Sequence, residues 1–336
     1  MFPFDIRNHE IICVGDLCAD LIIPYGEIKN TISKMRESLA VEEQSVVFRS
    51  GGSVGNTAKV LGKLHQNPIF ITHIGNDQAG QFLKQEMEKY HVKMDHAIAS
   101  DKGSVICIAV LDENRDRTMF VWVPPWSGLD HYTLNSFSEE IYKKPAIIFS
   151  SGMVLTNDIE SGNAILAFIE RMKENNSILV FDLNIRAESY GFEAQRRQLF
   201  ERVLQYSDVV LGSGIEEFGQ LTGKNNMIDA VRAIANDHSC IIARDGSLPI
   251  LIREGDRQIT VKVEAVKPAC TVGAGDTFDA AFLMALRKGY NIENCVTFAN
   301  KIAGYMISRE EHLAIPDNAE SLLPGNDLCD SQTSFQ

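Results

Sequence analysis

The sequence predicts an α/β fold: a three-layer αβα core around a mostly parallel central sheet, with a small β-sheet beside it. Three observations carry this. Short apolar runs alternate with helix-period segments along most of the chain. Those runs are apolar throughout, as strands covered on both faces are. Segments at about 21–50 and 104–123 break the rhythm with extended, alternating chain and no helix after them.

The elements follow in order. Segment 11–15 reads as a buried strand, 57–65 as a helix, 68–74 as a strand and 79–90 as a helix. Runs 146–150, 178–182, 209–212 and 240–243 read as further strands, with helical patterns at 157–174, 193–206, 215–222 and 227–237. Segment 104–111, a turn at 112–116 and segment 117–122 read as a β-hairpin. One domain is expected over 1–323, followed by a polar tail at 324–336. Ligands on parallel sheets bind beyond the carboxyl ends of strands. Asp16, Gly212 to Gly214 and Asp245 each follow an apolar run and fall on that edge.

Composition excludes some functions. A net charge of −13 argues against nucleic-acid and anionic-membrane partners, because phosphate contacts need clustered Lys and Arg. The seven cysteines are scattered without a C-x-x-C pair, so neither a zinc site nor a disulfide framework is expected. Most lie in apolar runs, which fits a reducing cytosol. No apolar run is long enough to span a bilayer, and residues 1–10 are too polar for a signal peptide, so a cytoplasmic location is expected.

The chemistry concentrates at Thr271-Val272-Gly273-Ala274-Gly275-Asp276-Thr277-Phe278, ahead of a helical apolar run. A small-residue turn opening a helix presents backbone N–H groups at the positive end of its dipole. A carboxylate there would repel a ligand that was only a phosphate. It makes sense if Asp276 takes a proton from a hydroxyl while the amides of Gly273, Ala274 and Gly275 hold the phosphoryl group under attack. The alternative reading is a loop with Asp276 as a helix cap.

This stretch resembles the C-terminal signature of the pfkB-type carbohydrate kinases, whose fold is ribokinase-like. Gly51-Gly52-Ser53-Val54-Gly55-Asn56-Thr57-Ala58, with Leu61-Gly62-Lys63-Leu64 after it, resembles the N-terminal signature. Ile74-Gly75-Asn76-Asp77-Gln78-Ala79-Gly80, Val14-Gly15-Asp16-Leu17-Cys18-Ala19-Asp20 and Asp182-Leu183-Asn184-Ile185-Arg186 match further family segments, in the family's order. The resemblance implies ATP-dependent phosphorylation of a primary hydroxyl of a sugar or sugar-like small molecule, with ATP and Mg2+ as cofactors; Asp182 to Arg186 leans towards the fructokinase and ketodeoxygluconate-kinase branch, with ribose, other sugars, sugar acids and nucleosides open. It implies that the extended segments form a lid over the sugar, through which a homodimer can assemble. An acidic protein that binds ATP must concentrate positive potential locally, from helix N-termini, Mg2+ or a few basic side chains.

Asp16, Asp20 and Asn56 are candidates for holding sugar hydroxyls, with Gly51 and Gly52 allowing close backbone approach. For Asp16 a turn-forming role is the alternative. Asn184 and Arg186 follow the 178–182 strand, and the resemblance places Arg186 at a substrate carboxylate; a surface salt bridge is the alternative. Glu217 resembles the glutamate of the family's Asn-x-x-Glu, implying Mg2+ contact through water. Asn300 would line the nucleotide pocket, or serve only as a core or surface polar group. Trp122-Val123-Pro124-Pro125-Trp126 reads as packing or as a stacking face for substrate.

The chain departs from the pattern in four places. Cys270 replaces the first Asp of the C-terminal signature, and Gly214 the Asn of Asn-x-x-Glu. Ala243-Arg244-Asp245-Gly246 replaces a Thr-x-Gly, and 308–315 lacks a Gly-Ala pair. The first and last changes fall on segments that build the family's monovalent-cation site, and argue against K+ activation. The departures leave a second reading open: a catalytically weak sugar- or nucleotide-binding regulator on a kinase fold. A dinucleotide-binding oxidoreductase is disfavoured, because neither glycine cluster completes G-x-G-x-x-G.

Overall fold

A strand buried on both faces must be apolar at every position, and the central strands show why. In the computed structural model, which describes residues 4–26, 46–112, 117–122, 131–156 and 158–325, successive side chains enter opposite cores. Ile147 and Phe149 pack into one layer and Ile148 into the other.

The elements are β1 (Glu10–Val14), β2 (Cys18–Ile23), β3 (Val47–Gly51), α1 (Ser53–Lys63), β4 (Ile69–Ile71), β5 (His73–Gly75) and α2 (Gln78–Lys89). Then come β6 (Ile98–Ser100), β7 (Ile106–Leu111), β8 (Arg117–Trp122), β9 (Ala146–Ser151), α3 (Ile159–Lys173), β10 (Ile178–Asp182), α4 (Ala187–Tyr190) and α5 (Ala194–Tyr206). The chain continues through β11 (Val209–Ser213), α6 (Gly214–Thr222), α7 (Met227–Ile234), β12 (Cys240–Arg244), β13 (Ile250–Glu254), β14 (Arg257–Val261), α8 (Ala274–Arg287) and α9 (Ile292–Ile307).

Eight strands form the central sheet in the order β14-β13-β12-β11-β10-β9-β1-β4. Pairing is parallel from β4 to β12 and antiparallel across β12, β13 and β14. Residues of α1, α2, α8 and α9 fill the core on one face. Residues of α3, α5, α6 and α7 fill the other. A second sheet, in the order β3-β2-β7-β8, holds the segments predicted as accessory chain. Among the described residues no helix is long and apolar enough to cross a membrane.

Two of the boundaries that differ from the sequence reading have a physical reason in the structure; the helix expected over 227–237 also ends early, at Ile234. The helix expected from residue 57 begins at Ser53, because Asp16 accepts hydrogen bonds from the Ser53 and Val54 amides at 2.7 and 3.1 Å. That cap comes from another strand and leaves no local signal. The strand expected at 68–74 divides at Thr72: β4 joins the central sheet, whereas β5 pairs with β6 and the Thr72 carbonyl accepts from the Ile98 amide at 2.8 Å. Residues 27–45 of the accessory segment, 113–116 of the hairpin turn, 123–126 of the aromatic run and 326–336 of the tail lie outside the described residues.

Candidate active site

Helices α1 and α8 bring their N-termini together at the carboxyl edge of the sheet. Asp276 lies in the first turn of α8. Its Oδ1 accepts from Ser53 Oγ at 2.9 Å and its Oδ2 from Asn56 Nδ2 at 2.7 Å, both donors on α1. The helix-cap alternative for Asp276 fails, because the cap position is Gly273 and no side chain caps α8. Gly273 has φ 85°, a conformation that favours glycine, and a Cβ there would press on the end of the Leu313 side chain at 2.6 Å. Of the first amides of α8, that of Ala274 donates to the Thr271 carbonyl at 3.2 Å and that of Thr277 to the Gly273 carbonyl at 2.8 Å; those of Gly275 and Asp276 precede the first intrahelical bond and have no acceptor a turn earlier in the helix.

Burial pushes the Asp276 carboxyl up to about 7, helped by Asp16 and Asp182 and opposed by its two hydrogen-bond donors. Asn56 is buried, and its Oδ1 has no hydrogen-bond partner among the described residues. Asp16 is the turn-forming group: its oxygens take the Ser53 and Val54 amides, and its own carbonyl takes the Gly55 amide at 3.0 Å. Gly52, at φ 92°, turns the chain over it. Asp20 sits on β2 opposite Arg49, with Oδ2 3.8 Å from Arg49 Nε, and Gly51 has no room for a Cβ against the Asp20 carboxylate.

A second set of charges lies directly behind. Arg244, at the end of β12, donates to Asp279 Oδ1 at 2.6 Å, to Asp182 Oδ1 at 3.0 Å and to the Gly275 carbonyl at 3.2 Å. The Asp279 side chain is fully buried and that of Arg244 is 10% exposed. Burial raises both carboxyls, Asp279 well above the usual carboxylate range, and Arg244 pulls both back. The guanidinium thus ties three strand and helix ends to the turn that carries Asp276.

Glu217, on α6, accepts from the Ser213 amide at 2.8 Å. Burial, then repulsion from Asp182, pushes it up to about 7. Asn184 and Arg186 follow β10 with φ of 31° and 46°. Arg186 is exposed and makes no ion pair among the described residues, yet its charge lowers Asp16, Asp182 and Glu217. Asn300 is half-buried on α9 and makes no hydrogen bond to these groups.

The structure therefore joins Asp276, Asn56, Asp16 and Gly52 in one corner and places Arg186 and Glu217 within its field. Ser53, Arg244 and Asp279 are site residues that sequence reasoning missed. Ser53 was within reach: it lies three residues before Asn56, on the same helix face. Arg244 and Asp279 had only weak signals, an Arg ending an apolar run and a carboxylate three residues after Asp276.

Residues 8–317 match the sequence profile of the pfkB family carbohydrate kinases, and the chain belongs to that family. It is similar to the 5-dehydro-2-deoxygluconokinase of Listeria innocua, with 24% identity over 310 residues, 90% of this chain and 91% of that protein. Its fold is ribokinase-like. It matches a Vibrio cholerae fructokinase solved with fructose, ADP and calcium at TM-score 0.77 and 23% identity, over 94% of this chain and 99% of that one. A Thermotoga maritima ribokinase matches at TM-score 0.74 and 20% identity, over 94% of this chain and 99% of that one.

Proposed function

We propose that this carbohydrate kinase moves the γ-phosphoryl group of MgATP to a primary hydroxyl of a sugar acid, with Asp276 as the base. The observation that carries this is the Asp276 carboxylate, held by two neutral donors at the open N-terminus of α8 and raised to about 7. Each oxygen takes one donor and keeps a lone pair for the substrate hydroxyl. The hydroxyl oxygen attacks phosphorus, its proton passes to Asp276, and ADP leaves with the electrons of the broken P–O bond. The amides of Gly273 and Gly275 would take the charge that builds on the transferring group, whereas that of Ala274 must first give up its 3.2 Å bond to the Thr271 carbonyl to join them. The unpartnered Asn56 Oδ1 accepts from a sugar hydroxyl, and Asp20 takes another.

The site fits a divalent cation near Glu217. This carboxylate is raised partly by repulsion from Asp182, and a hydrated Mg2+ would relieve that. When bound with ATP, it would neutralise phosphate charge. Asn300 would stand on the nucleotide side. Arg186, exposed without an ion pair among the described residues, supports a carboxylate-bearing substrate, in line with the deoxygluconokinase relative. The β3-β2-β7-β8 sheet acts as the lid. Its exposed Val47, Phe48, Met119, Phe120 and Val121 support pairing of two lids in a homodimer. The unbonded thiols of the described cysteines agree with a cytoplasmic setting.

The test is ADP release from MgATP against a panel of keto-sugar acids, neutral sugars and nucleosides, with Asp276→Asn alongside. Turnover with sugar acids that collapses in the variant supports the proposal. Equal binding to both proteins without turnover would establish the regulator reading instead.

A further inference from the structure

Three potential metal ligands meet in the small sheet. Cys18 and Asp20 are two residues apart on β2, and Cys107 lies opposite Asp20 on the parallel neighbour β7. The period of two puts all three side chains on one face. Cys107 Sγ is 3.6 Å from Cys18 Sγ, and Cys18 Sγ is 3.4 Å from Asp20 Oδ1. The three ligand atoms lie within 4.8 Å of one another.

The two sulfur-centred separations, 3.6 and 3.4 Å, are close to edges of a coordination tetrahedron, and the third is within 4.8 Å. With Zn–S near 2.3 Å and Zn–O near 2.1 Å, the S···S edge is about 3.8 Å and the S···O edge about 3.6 Å. The second Asp20 oxygen faces Arg49 Nε at 3.8 Å, which leaves Oδ1 turned towards the sulfurs. Arg49 Nε supports this carboxylate by charge, since 3.8 Å is too long for a hydrogen bond. Charge also closes: two thiolates and one carboxylate against a divalent cation and Arg49 sum to zero. Cys18 is buried, whereas Cys107 and Asp20 are half-buried, so an ion enters on their side.

We propose that Cys18, Cys107 and Asp20 form a three-ligand site for a thiophilic divalent cation of the Zn2+ type, with its fourth position open. Resting on the reading of Asp20 as a sugar contact, the ion competes with the sugar and inhibits the kinase.

The test is Co2+ titration of the full chain, with thiols kept reduced by a phosphine. The expected result is a thiolate-to-cobalt charge-transfer band with tetrahedral d–d bands, saturating at one equivalent and displaced by Zn2+. Cys18→Ser and Cys107→Ser each lose the charge-transfer intensity, whereas Cys270→Ser keeps it. Absence of the bands in the wild type, or their survival in both cluster variants, overturns the site. A second arm measures kinetics: Zn2+ raises the apparent KM for sugar in the wild type, a chelator reverses it, and Cys107→Ser is insensitive. Full bands without this competition would keep the site and overturn the sugar role of Asp20. The optical arm needs no turnover, so failure of the kinase reading cannot be confused with failure of the site.

Discussion

Two sets of carboxylates share one sheet edge and are held in different ways. Asp276 meets only neutral donors, Ser53 and Asn56, and stands at an open helix end. Asp182 and Asp279 meet the guanidinium of Arg244 in a closed cluster. Neutral donors fix direction without cancelling charge, so burial dominates and Asp276 rises to about 7. The Arg244 cluster has no such opening and serves as a brace behind the turn. The difference teaches that orienting a carboxylate and neutralising it are separate tasks, assigned here to separate residues.

The largest expected effect breaks the reactive side. Asp276→Asn should lower kcat by about 10²–10⁴-fold with folding intact, measured by steady-state ADP release. The same variant should be more stable than wild type at alkaline pH. Between the ordinary carboxylate value and about 7 the folded protein holds the Asp276 proton more tightly than the unfolded chain. Its contribution to stability therefore falls as pH rises through that window, and the amide removes this penalty. Thermal melts should show the gap closing as pH is lowered; a constant gap would contradict it.

Breaking the brace comes next. Arg244→Met should destabilise the fold by about 3–5 kcal/mol in denaturant unfolding, because it strands two buried carboxylates. Arg244→Lys should recover only part of this, since an ammonium cannot span Asp182, Asp279 and the Gly275 carbonyl together. Full recovery would show that charge alone matters.

Arg186→Ala sharpens the comparison at a distance. It should raise KM for a sugar acid by about 10–100-fold, the worth of one charge-assisted contact, with little change for a neutral sugar. Equal effects on both substrates would remove the carboxylate assignment.

The smallest expected effect is on pH dependence. Activity should rise with pH through about 7 as Asp276 loses its proton. Ser53→Ala removes a donor that favours the ionised form, so the limb should move upward by less than about one pH unit. A downward shift would mean that Ser53 does not act through Asp276.

Much of this was legible in the sequence. The strand at 178–182 is found where its apolar run placed it, and α2, α5 and α6 begin within a residue of expectation, because burial periodicity is local information. The Gly-Ala-Gly-Asp turn and Asn56 were readable from residue type, and the family followed from their order along the chain. What only the tertiary structure decided depends on atoms far apart in sequence. Ser53 and Asn56 reach Asp276 across 223 and 220 residues, and Arg244 reaches Asp182 across 62. Cys18 and Cys107 become neighbours only when β2 pairs with β7. Periodicity tells a side chain which face to take; packing of the layers alone sets which charges and thiols it meets there, and hence their protonation and chemistry.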